Sequence, residues 1–152
     1  MKKLQFKVHI KAPATKVFDF MLGITNKSTY EHWTALFNPT STYEGHWSKG
    51  SKMMFVGVDE NGEKGGIVSK IAEHIPNQFI SIQYYGLVKA GEEITEGPEV
   101  EPWVNGYENY TFNETNGATT LTVDLDTTEY FVDYMNENYP KALDALKLLC
   151  EG

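Results

Sequence analysis

The sequence predicts an α+β fold, mostly antiparallel strands followed by a long C-terminal helix. Three observations carry this. Period-two alternation recurs in segments between residues 4 and 125, and two Asn-Gly pairs, Asn61-Gly62 and Asn116-Gly117, sit between such segments. Residues 128–150 then switch to helical spacing. Strands grouped together, rather than alternating one by one with helices, argue for α+β.

The first strand is read from Leu4, Phe6, Val8 and Ile10, which alternate with Gln5, Lys7 and His9. Ala12-Pro13 suits a helix start, and Val17, Phe18, Met21 and Leu22 form a short apolar stripe that stops at Gly23. A second short helix is signalled by the capping-box spacing of Ser28 and Glu31, with Trp33, Leu36 and Phe37 following and Asn38-Pro39 ending it. About six antiparallel strands come next, near 43–47, 53–58, 65–74, 79–85, 104–113 and 118–125. Asp59-Glu60-Asn61-Gly62 and Glu114-Thr115-Asn116-Gly117 make hairpin turns, because Asn and Gly tolerate positive φ. In the last helix Phe131, Met135, Tyr139, Ala142, Leu146 and Leu149 share a face; Pro140 predicts a kink or local irregularity. Residues 86–103 break the rhythm with three glycines, two prolines and five glutamates, and read as a long acidic loop.

The length of 152 residues fits one domain spanning the chain, large enough to bury a core without disulfides or a structural metal. All 13 basic residues are lysines against 21 acids, a net charge of −8. Residues 1–76 hold ten lysines and seven acids; residues 77–152 hold three lysines and fourteen acids. Clustered positive charge for a phosphate backbone is missing, so nucleic acid is excluded as the main partner. Without arginine there is no bidentate clamp for an anionic ligand. No stretch reaches the roughly 20 apolar residues of a membrane span, and no signal peptide is evident, so the expected location is cytoplasmic. The lone Cys150 reads as a packed thiol, and the four scattered histidines form no ligand spacing, so neither metal nor cofactor is expected.

Several segments together resemble the START/Bet v 1-like (SRPBCC) superfamily, and within it the activator of Hsp90 ATPase (AHSA1-like) branch. They are Ala12-Pro13-Ala14-Thr15-Lys16-Val17-Phe18, the Trp33 region, Gly45-His46-Trp47-Ser48-Lys49-Gly50-Ser51, and Val68-Ser69-Lys70-Ile71 leading to Pro76. The resemblance covers nearly the whole chain except 86–103. It implies a helix-grip fold, a curved antiparallel sheet wrapped around the C-terminal helix and enclosing a cavity. It also implies binding of hydrophobic small molecules, cyclase or aromatase activity, or a co-chaperone role.

A sheet gripping a helix points one parity of side chains inward. Expected to line a ligand cavity are Trp33, Tyr43, Trp47, Phe55, Ile82, Tyr84, Tyr110, Met135 and Tyr139. The surplus of tyrosines favours a cavity, since buried hydroxyls need partners; close packing into a solid core is the plainer reading of any one of them. Counting by twos from Tyr110 and Phe112 places Glu108 on the inward parity, as the candidate general acid/base or ligand acceptor. The plainer alternative is a bulge after the insertion that leaves Glu108 in solvent. The acidic loop is read either as a solvated loop or as a lid favouring neutral or cationic ligands, with Trp103 as its anchor.

Three functions follow as expectations. The leading one is a binding protein for a hydrophobic, neutral small molecule, without catalysis. The second is a cyclase-, aromatase- or hydrolase-like enzyme using Glu108 with Tyr84 or Tyr110. The third is a module binding a basic protein partner such as a chaperone through its acidic half; a homodimer is the other partner expected.

Overall fold

The computed structural model describes all residues, 1–152. Strand β1 (Lys2–Ile10) is followed by helices α1 (Ala14–Leu22) and α2 (Lys27–Thr34). Strands β2 (Thr42–Gly45), β3 (Lys52–Val58), β4 (Lys64–Ile75), β5 (Phe79–Lys89), β6 (Glu92–Ile94), β7 (Tyr107–Thr115) and β8 (Ala118–Thr127) come next. One 3-10 turn (Glu129–Phe131) leads into the final helix α3 (Val132–Glu151). The sheet is antiparallel in the order β1-β8-β7-β5-β4-β3-β2, with β6 added to β5.

The alternation in β1 lays Leu4, Phe6, Val8 and Ile10 against the core, and β1 contacts α3. Register shifts between Val68 and Ser69 and between Ile71 and Glu73 bend the β4–β5 ladder, as bulges do. Gly66 in β4 has φ 154°, and a Cβ there would lie 1.9 Å from the carbonyl oxygen of Phe55. The chain can cross there only as glycine. The sheet's concave face and the helices bury one main cluster running from Ile10 to Cys150.

Three sequence expectations change. The capping box is not used: Asn26 caps α2 by accepting the backbone N–H of Ser28 (3.0 Å), and Glu31 instead accepts the hydroxyl of Thr42 (2.7 Å). Helix α3 runs unbroken through Pro140. The proline and Asn136, four residues earlier, are both exposed, so the carbonyl that loses its helical partner can bond water.

The 86–103 segment is not one long loop. Residues 86–89 extend β5, and β6 pairs back on it with Leu87 opposite Ile94. Lysines neutralise part of its acid: Lys52 pairs with Glu93 (2.5 Å) and Lys89 with Glu99 (3.0 Å). Val100 is fully buried, and Trp103 packs against Tyr84 and Phe131.

Candidate ligand site

A cavity of about 210 Å³ lies between the sheet, α2 and α3. Fourteen residues line it, eleven of them hydrophobic, so any occupant meets mainly apolar and aromatic walls. Strands β3, β4 and β5 supply Phe55, Ile67, Ile82 and Tyr84, and β7 supplies Glu108 and Tyr110. Tyr30, Trp33 and Thr34 come from α2, Phe37 and Ser41 from the turn after it, and Tyr134, Met135 and Tyr139 from α3.

Glu108 organises the polar end. It sits in unbroken register, opposite Ile82 on β5 and Leu125 on β8, so the bulge that would have turned it to solvent does not occur. Its carboxylate accepts three phenolic O–H bonds. Tyr84 donates to Oε1 at 2.6 Å; Tyr110 and Tyr139 donate to Oε2 at 2.6 and 2.5 Å. The strand geometry explains the first two donors. Tyr110 is two residues along on the same face, and Tyr84 is the diagonal neighbour on β5, its N–H bonded to the carbonyl of Gly106. The third comes from the helix opposite.

Packing holds Tyr139 in place. Its ring stacks on Phe6 (5.0 Å, 9°) and meets Phe37 (5.2 Å) and Trp33 (6.3 Å). Trp33 donates its indole N–H to the carbonyl of Met21 (2.9 Å), which leaves its ring for the cavity wall. Tyr134 is the one exposed lining residue, and its hydroxyl donates to the carbonyl of Phe37 (3.2 Å), tying α3 to the turn after α2. Burial first, and the charge of Glu108 second, push the phenols of Tyr30, Tyr84, Tyr110 and Tyr139 well above the ordinary tyrosine range. Tyr84, Tyr110 and Tyr139 keep the protons they donate to Glu108 at neutral pH.

Of the nine residues expected at a cavity wall, seven line it: Trp33, Phe55, Ile82, Tyr84, Tyr110, Met135 and Tyr139. Tyr43 and Trp47 do not. The Tyr43 hydroxyl donates to the carbonyl of Gly23 (3.1 Å) and the Trp47 indole to that of Leu22 (3.0 Å). Both serve the left-handed C-terminus of α1, where carbonyls lack helical partners. Parity alone could not separate them from the cavity set, because a sheet face longer than the cavity packs elsewhere at its ends. Tyr30, Thr34, Ser41 and Tyr134 were not anticipated; the spacing of Tyr30 from Trp33, one turn along α2, was the available signal for the first. No residue of 86–103 lines the cavity, so its acids do not form the rim. No three His, Cys, Asp or Glu side chains converge closely enough to hold a metal ion.

Solved structures share this architecture. The Aha1 dimer from Colwellia psychrerythraea superposes with TM-score 0.69 at 20% identity, covering 99% of this chain and 97% of that one. Ms6760 from Mycobacterium smegmatis does so at 0.69 and 15% identity (97% and 89% covered), and CalU16 from Micromonospora echinospora at 0.64 and 15% (97% and 73%). The chain shares the helix-grip fold of these structures. No family model and no curated protein matches the sequence. At these identities the likeness is one of fold. No helix is long and apolar enough to cross a membrane.

Proposed function

We propose that the protein binds a small, largely apolar molecule carrying no negative charge between the sheet and α3. The observation that supports this is the apolar cavity of about 210 Å³ whose polar end is a single carboxylate with its phenols. A cavity of roughly 150 Å³ lined by apolar side chains holds benzene, so this one suits a one-ring compound. Typical drug-sized pockets begin near 300 Å³, so sterol-sized ligands are too large for the walls as they stand. No lining residue is positively charged, which disfavours anions.

The test combines native mass spectrometry of protein purified from its own host with titration by one-ring aromatics. A co-purifying molecule, or saturable binding that is lost in Met135→Trp, is the expected result. Absence of both overturns the proposal.

An enzymatic reading has one specific observation in its favour: Glu108 lies within 2.6 Å of both Tyr84 and Tyr110 in the same cavity, the geometry that acid/base chemistry needs. Conversion of a captured ligand by the native chain and not by Glu108→Gln would establish it; release of that ligand unchanged would remove it.

A further inference from the structure

The inference concerns the charge of the ligand and rests on the binding reading above. The carboxylate of Glu108 has no basic side chain beside it. Its three partners are neutral phenols, and none of the seven ion pairs of the molecule includes it. No lysine or histidine is found among the lining residues. Phenolic donors bond to a carboxylate but leave its charge uncancelled. A half-buried carboxylate in that position favours any cation able to reach it.

The acceptor geometry leaves room for one more donor. A carboxylate offers about four lone-pair sites. Two phenols occupy Oε2, whereas Oε1 receives Tyr84 alone. Aromatic rings from three elements, among them Tyr30, Trp33, Phe37 and Phe55, form much of the remaining wall. Ring faces attract a cation through their quadrupoles. The net charge of −8 without arginine adds a field that draws cations and repels anions.

We infer that the ligand is a small organic cation, a one-ring body bearing a protonated amine, with the ammonium on Oε1 of Glu108 and the ring against the aromatic wall. This replaces the neutral ligand expected from the sequence, which did not show that Glu108 lacks a counter-charge.

Four probes of one shape test this by calorimetry on the full chain at neutral pH: benzylamine, benzyl alcohol, toluene and benzoate. Benzylamine should bind at least about tenfold tighter than toluene or benzyl alcohol, equivalent to about 1.4 kcal/mol, and benzoate should not bind. In Glu108→Gln the amine preference should vanish while toluene affinity changes less than about threefold. Because Glu108 also holds three buried phenols, Tyr134→Lys serves as a second variant: an ammonium at the exposed rim should weaken the amine more than it weakens toluene. Equal binding of benzylamine and toluene, or a preference that survives in Glu108→Gln, overturns the cation inference. The apolar-cavity reading then stands, with the phenol–carboxylate cluster purely structural. Failure of all four probes to bind overturns the cation inference, and together with the absence of a co-purifying molecule it overturns the binding reading as well.

Discussion

Replacing Glu108 by leucine removes the acceptor of three buried phenols at once. Each bond is 2.5–2.6 Å long, and Tyr84, Tyr110 and Tyr139 are each at most 3% exposed, so none can turn to water. A buried donor left without a partner costs about 1–3 kcal/mol. Three of them set a gross loss of roughly 3–9 kcal/mol, offset in part because a desolvated charge disappears as well. The expected net destabilisation is about 2–4 kcal/mol, a fall in melting temperature of roughly 5–15 °C for a chain of this length. Urea unfolding measures it directly. The decisive comparison adds Tyr84→Phe, Tyr110→Phe and Tyr139→Phe to Glu108→Leu. Removing both sides of a polar contact is close to neutral, so the fourfold variant should recover most of the loss and the substitutions should be strongly non-additive. If Glu108→Leu is as stable as the native chain and the tyrosine substitutions simply add, the cluster does not hold the core as described.

Further outcomes follow from the same geometry. The four buried phenols Tyr30, Tyr84, Tyr110 and Tyr139 keep their protons in the folded chain, while in the unfolded chain they ionise near pH 10. The unfolded state then binds fewer protons, so stability should be flat below about pH 10 and fall above it. The slope is up to about 1.4 kcal/mol per pH unit for each phenol. Urea midpoints between pH 8 and 11 check this, and Tyr139→Phe should reduce the slope by about a quarter. Glu114 on β7 accepts the N–H of Ala14 at 2.7 Å, capping α1, whose own Pro13 offers no side-chain acceptor. Glu114→Ala should therefore cost about 0.5–2 kcal/mol by urea unfolding, and Glu114→Gln less. Cys150 is 1% exposed and burial pushes its thiol up to about 11, so thiol reagents at pH 8 should label it only at the rate of unfolding.

Much of the architecture was legible because it is written in local pattern. Period-two alternation placed β1, β3, β7 and β8 within a few residues, and the Asn-Gly turns marked two hairpins. The segment after Tyr85 was misread because its glutamates and glycines have poor strand preference. Its pairing depends on the edge offered by β5 and on Lys52 and Lys89, none of which local propensity records. The inward face of Glu108 was countable by twos, yet a plausible bulge competed with it. Only the ladders to Ile82 and Leu125 removed that alternative.

The sequence by itself therefore determined the element order apart from β6, the side of the sheet that is apolar, and the absence of any arginine to hold an anion. These depend on composition and on periods of 2 and 3.6 residues, which neighbours along the chain specify. Tertiary structure alone decided which tyrosines meet Glu108 and that no lysine does. Tyr84 lies 24 residues before it and Tyr139 lies 31 after it, so sheet register and helix docking bring them together. The same docking set the cavity's size and drew Tyr43 and Trp47 away from it to the end of α1. A long-range meeting of side chains is a property of the packed chain, and no local pattern carries it.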